Sequence, residues 1–314
     1  MPGAYPFYFD QVQAMSQVVD TATGDKIIFG VFNTPENAIS GSAVCSFRMS
    51  EIVDSFNGPF KGQADSNTNW LPVAKHEEPD TRPGSCHNDS RSLDEKYLNF
   101  VKKHALMDQA VDASTKEPHF IRTSPHEKLT TISVDPAVSL VNGVSTDVLF
   151  IGTTTGRVIK IASFIDEEGE ARTSVIEEMQ VFPPHISVNN ILVVRSEEQE
   201  PRLVVLSDHE VKSIPVQRCR DHTDCGACVG LQDPYCAWNI QVKMILQQED
   251  TNQKYFIIQE RLCDTHLGSQ VDASSLLQNI VSGQHPVCGT TSSYDYSGNY
   301  LLHFTQMYCF YFTG

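Results

Sequence analysis

Basic side chains are scarce: 23 Lys and Arg stand against 39 Asp and Glu, a formal charge of −16. That deficit argues against a duplex nucleic-acid binder, which needs a cationic face to displace counterions. It argues equally against a polybasic membrane-surface module. Long apolar runs are also missing. The nearest approach, Tyr296 to Gly314, carries no Asp, Glu, Lys or Arg, but Ser297, Gly298, Asn299, His303, Thr305 and Gln306 interrupt it. It falls short of the roughly twenty predominantly apolar residues that span a bilayer, and an irregular tail over 291–314 is the expectation. The first nine residues, Met1-Pro2-Gly3-Ala4-Tyr5-Pro6-Phe7-Tyr8-Phe9, lack the basic region, apolar stretch and cleavage site of a secretion signal.

Catalytic signatures are missing too. No G-x-S-x-G, H-E-x-x-H, P-loop or G-x-G-x-x-G occurs. Gly152-Thr153-Thr154-Thr155-Gly156 has no following Lys-Ser/Thr to meet phosphate and magnesium, and reads as a hairpin turn. His119 and His126 each follow a proline and read as surface-loop residues rather than a metal pair. The acidic runs 76–80 and 166–170 lack the alternating ligand spacing of a dedicated calcium loop and read as solvated loops. The expectation is a protein that is not an enzyme and has no cofactor, metal or small-molecule substrate.

Cysteine is nearly missing from the first 218 residues, which hold only Cys45 and Cys86. Four then fall within eighteen residues, at Cys219, Cys225, Cys228 and Cys236, followed by Cys263, Cys288 and Cys309. Such clustering points to a small disulfide-stapled module behind a larger domain with a hydrophobic core. A zinc site is the alternative, with Cys225 and Cys228 as one corner pair and Cys219, Cys236 or His222 completing it. A zinc ribbon needs a second cysteine knuckle, and there is none. A redox CxxC would follow a strand in a βαβ setting, which is lacking. Three disulfides would account for all six cysteines from 219 to 288.

What fills the first 217 residues is β-pattern. Three times a buried-looking strand is joined by a hairpin to a more polar, alternating one: Lys26–Phe32 with Gly41–Met49 through a longer Pro- and Asn-containing connection, Asp147–Gly152 with Gly156–Ala162, and Arg202–Ser207 with Glu210–Val216. A further strand precedes each pair, at Gln13–Val19, Leu129–Asp135 and Val188–Val194, and a fourth candidate lies at Ser174–Val181. Leu129 to Val188 is a repeat of about sixty residues, suiting a four-stranded propeller blade with long loops. A β-sandwich with irregular insertions is the alternative. Between the first two repeats, Leu93–Asp112 has helix-compatible apolar spacing. Three blades cannot close a ring that needs roughly four to eight, so a front portion is expected to be missing.

The run Cys219-Arg220-Asp221-His222, Cys225-Gly226-Ala227-Cys228 and Leu231-Gln232-Asp233-Pro234-Tyr235-Cys236-Ala237-Trp238 resembles the start of a PSI module. Ile28–Asn33, Gly41–Cys45, Asn69–Val73, Arg82-Pro83-Gly84-Ser85-Cys86 and Asp147–Thr153 resemble the sema domain of semaphorins, nearest to the invertebrate transmembrane class 1. The resemblance implies an all-β fold: a partial sema propeller over 1–217, about three of seven blades, then a PSI-like cysteine-rich module over 218–290. Val242–Glu260 stands where the family has no such segment and reads as an insertion. Cys219–Cys236 is the preferred pair among the six module cysteines. Cys45 and Cys86 match family cysteines whose partners lie upstream, so both are expected to be orphaned here or to join wrongly to each other.

By the same resemblance, the parent protein is an extracellular or cell-surface guidance ligand that binds plexin receptors, repels axons and acts as a homodimer. A receptor-side protein of the plexin type and a non-functional truncated product are the alternatives. Asn88-Asp89-Ser90 is the sole N-glycosylation sequon in the chain.

Overall fold

The structure, a computed structural model, describes residues 7–20, 25–36, 38–165, 171–196, 200–240, 243–247, 254–258, 262–266, 271–288 and 307–309. The acidic run 166–170 and most of the 291–314 segment lie outside them. Within that last segment, Met307–Cys309 forms a strand paired parallel with Phe7–Phe9.

Three antiparallel sheets carry the first part of the chain. The first orders Gln11–Met15, Lys26–Asn33, Gly41–Arg48 and Phe120–Thr123, with Val19–Asp20 also paired to Lys26–Asn33. The second runs in sequence order through Leu129–Ser139, Ser145–Thr153, Arg157–Ile165 and Ala171–Gln180. The third has Asn190–Val194, Arg202–Leu206 and Val211–Pro215. The strand read over Gln13–Val19 is broken at Ser16, which accepts a hydrogen bond from Phe29 N–H on its hydroxyl at 3.0 Å.

The unbroken apolar run Val148–Ile151 follows from burial on both faces of the second sheet, because successive strand residues point to opposite sides. Leu149 and Ile151 join Phe29, Val31, Val44, Leu129 and Ile159 against the first sheet. Val148 and Phe150 join Val158, Ile191, Leu203 and Val205 against the third. The turn at Thr153–Gly156 has the left-handed φ of +75° at Gly156, where a Cβ would lie 2.5 Å from the Phe182 carbonyl oxygen. Any side chain there would strain the turn and collide.

The long stretch between the first two sheets is packed. Helix α1, Met49–Asn57, follows directly on Gly41–Arg48. Sequence periodicity gave no sign of it, since the strand was read through Met49. Helix α2, Glu95–Lys103, lies within the helix-compatible stretch and starts where the Asp94 carboxylate accepts from Tyr97 N–H at 2.8 Å. Phe60, Val73, Phe100 and Met107 form a separate small core beneath it.

Among the histidines read as surface residues, His126 is exposed. His119 is not. It is buried at 4% exposure, hydrogen-bonded through Nε2 to Ser46 Oγ at 2.8 Å and through Nδ1 to Ser163 Oγ at 2.7 Å. Its ring meets Phe29 edge-on with centroids 5.2 Å apart. The preceding proline breaks helix, as expected, but leaves the following residue free to point inward between two sheets.

Candidate interaction site: the cysteine-rich module and its seat

Helix α3, Cys225–Gly230, is begun by Asp224, whose carboxylate accepts from Ala227 N–H at 2.8 Å. A six-residue helix has little stability of its own. Covalent bonds fix it at its first and fourth residues: Cys225 is bonded to Cys288 and Cys228 to Cys263, while Cys219 is bonded to Cys236. With all six sulfurs paired, none remains as a thiolate for zinc, so the zinc alternative does not hold. The bridges enclose Val229, Trp238 and Leu277 as the module's core.

Cys236–Asn239 pairs antiparallel with Leu262–Thr265, and Asn239 lies opposite Leu262. The segment read as an insertion therefore leaves and re-enters the module at adjacent positions. Its described parts, Lys243–Gln247 and Lys254–Ile258, pair with each other as a hairpin.

The other sulfurs differ from expectation in one case. Cys86 is free and exposed. Cys45, expected to stand without a partner, is buried at 1% exposure in the first sheet and is disulfide-bonded.

The module is seated on the sheets by buried charge. Lys160, fully buried, is on the face of its strand that points toward the third sheet. Its ammonium donates to the Val216 carbonyl at 2.8 Å and to Asp233 Oδ2 at 2.5 Å, and lies 4.6 Å from the centre of the Tyr235 ring. Burial pulls the ammonium below the ordinary lysine range, and the Asp233 charge opposes that pull. The Tyr235 hydroxyl donates to Asp135, a carboxylate 2% exposed that also accepts from Arg195 Nε at 2.9 Å and Nη2 at 2.7 Å. Burial, with the Asp135 charge beside it, pushes the Tyr235 phenol well up, so it stays a donor. Arg218 pairs with Glu177. Gln278 accepts from Val141 N–H at 3.0 Å and donates to the Cys236 carbonyl at 2.9 Å, joining a turn of the second sheet to the module.

Sequence reading placed Asp233 and Tyr235 inside the resemblance but gave neither a role, and it passed over Lys160. The available signal was Lys160 itself: a lysine between Ile159 and Ile161 in a doubly buried strand must find a counter-charge. Among the described residues no cluster of three or more His, Cys, Asp or Glu is placed to hold a metal, and no helix is long and apolar enough to cross a membrane. The arrangement holds a cross-linked module in one orientation on a sheet domain.

Residues 12–195 match the Sema domain family and residues 218–255 the Plexin repeat family, PSI. Semaphorin-1A of Schistocerca americana is 44% identical over 301 residues, covering 92% of this chain and 38% of its own length. Semaphorin-1A of Drosophila melanogaster is 39% identical over 306 residues, covering 92% of this chain and 32% of its own. Among solved structures, Drosophila Semaphorin 1a, extracellular domains 1-2, is similar with a TM-score of 0.71 at 39% identity, over 92% of this chain and 54% of that one. Drosophila Plexin A in complex with Semaphorin 1b gives 0.72 at 36% identity, over 89% of this chain and 52% of that one. This chain thus spans well under half the length of these curated relatives.

Proposed function

The chain belongs to the semaphorin family, and from that premise we propose that its parent protein is an extracellular or cell-surface ligand of a plexin-family receptor. The three sheets are the C-terminal blades of a sema propeller, and the cysteine-rich module is the PSI domain at its exit. Recognition is the whole mechanism, with no bond made or broken. A propeller suits it because rigid blades present loops over a broad rim where binding anchors can sit.

The observation that carries this reading is the fixing of the disulfide-stapled module to the sheets by buried charge. Three disulfides hold the module together, and the buried Lys160–Asp233 and Asp135–Tyr235 contacts hold it in one orientation on the sheets. A ligand acting as a homodimer needs that rigidity, because two receptors are brought together only at a fixed spacing. The outcome we assign is chemorepulsion in axon guidance. Remaining blades would cover the outer face of the third sheet, where Leu192, Val194 and Val211 are exposed.

The test is binding of a plexin ectodomain to the protein expressed from the complete transcript, with growth-cone collapse as the cellular readout. Binding without collapse would leave the ligand reading and remove the repellent one. A complete transcript that continues into repeated PSI and immunoglobulin-like modules would favour the receptor-side reading.

A further inference from the structure

The loop from Gly84 to Ser92 is exposed throughout, yet its base is fixed. Arg82 donates to the Phe56 carbonyl at 2.9 Å and to the Gly58 carbonyl at 2.5 Å, at the end of α1, and its guanidinium lies 4.8 Å from the Phe60 ring centre. Gly84 N–H donates to the Tyr97 hydroxyl at 3.1 Å, tying the loop to α2. Beyond these ties comes Asn88-Asp89-Ser90. The middle residue is committed: the Asp89 carboxylate accepts from Arg91 N–H at 3.0 Å and from Arg91 Nε at 3.0 Å. The outer two are not, since neither the Asn88 amide nor the Ser90 hydroxyl has a hydrogen-bond partner among the described residues. Asp89 has extended backbone angles, φ −139° and ψ 100°. Residues on either side of an extended residue project to the same side of the chain, which leaves Asn88 and Ser90 together and Asp89 opposite.

We propose that Asn88 is a modification site carrying an N-linked oligosaccharide. The donor class is an oligosaccharide on a polyprenyl diphosphate. The Asn88 amide nitrogen forms a bond to C1 of the first N-acetylglucosamine, the C1–O bond to the diphosphate breaks, and the amide proton leaves with the polyprenyl diphosphate. No oxidant or reductant is required. The inference rests on the extracellular reading, because the compartment that forms the three disulfides is the one that supplies this donor. The sugar excludes a protein partner from the outer side of the 84–92 loop, so receptor and dimer contacts lie on other faces.

The chain is the probe: residues 1–314 directed into the secretory lumen of animal cells behind a cleavable signal, then digested with peptide-N-glycosidase F. With one sequon in the chain, a single downward mobility step is expected. It is lost in N88Q and S90A and kept in S90T, and glycopeptide mass spectrometry places the sugar on Asn88. No step in a sample whose Cys219–Cys236, Cys225–Cys288 and Cys228–Cys263 bridges have formed overturns the inference and leaves the extracellular reading standing. No step together with reduced cysteines overturns both. A step that persists in N88Q overturns the assignment to this residue.

Discussion

The Lys160 ammonium and the Asp233 carboxylate meet at 2.5 Å, with Lys160 fully buried and Asp233 5% exposed. One comes from the second sheet and the other from the cysteine-rich module, 73 residues later. Breaking a buried pair on one side leaves an uncompensated charge and costs about 3–5 kcal/mol. K160M is expected to lose that much in chemical denaturation. K160M/D233N is expected to recover part of it, since an asparagine keeps an acceptor for the Tyr235 N–H that Asp233 Oδ1 now binds at 3.0 Å. Additive losses in that double-mutant cycle would show the two residues to be uncoupled.

His119 gives the fold an acid limit. Burial lowers its pKa to about 4, against 6.5 for the free side chain. The unfolded chain binds the proton first, so the stability held above pH 6.5 is lost as pH falls toward 4. The span is worth on the order of 3 kcal/mol. The expected result is a fall in thermal midpoint across that window, with a shallower slope in H119Q. Parallel wild-type and H119Q profiles would contradict it.

The segment between Asn239 and Leu262 is expected to be dispensable for folding. Those two residues lie opposite each other in the sheet, so removing 242–260 leaves Ile240, Gln241 and Arg261 as a three-residue hairpin connection. Shorter loops cost less to close, by about 0.6 kcal/mol per halving. The shortened chain should therefore keep its three bridges and be as stable or slightly more so, by disulfide mapping and urea denaturation. Scrambled bridges would show that the segment guides pairing.

Bridge removal should scale with the loop closed. Cys219 and Cys236 are 17 residues apart and Cys225 and Cys288 are 63 apart. Chain entropy gives about 3 and about 4 kcal/mol respectively. Paired Cys→Ser variants, compared by denaturation, are expected to follow that order.

How much of this was legible differs from element to element. The Asp147–Gly152 strand was readable because it is buried on both faces, which leaves an unbroken apolar run. The four cysteines from Cys219 to Cys236 marked the start of the module by density alone. Helix α1 was hidden because it follows the strand without a turn and with no capping residue; Arg48 makes no side-chain cap. The seat of the module was hidden for a different reason. Lys160, Asp233, Tyr235, Asp135 and Arg195 come from distant parts of the chain, and only the stacking of sheets brings them together. His119 was misplaced because a Pro-His dipeptide carries no mark of what packs over it.

The ligand reading is tested most directly by equilibrium binding of a plexin ectodomain to the oxidised protein expressed from the complete transcript. Saturable binding is expected, with loss when the module's disulfides are reduced and weakening in K160M at a temperature where that variant remains folded. A protein that carries all three bridges, unfolds cooperatively and still binds no plexin would contradict it.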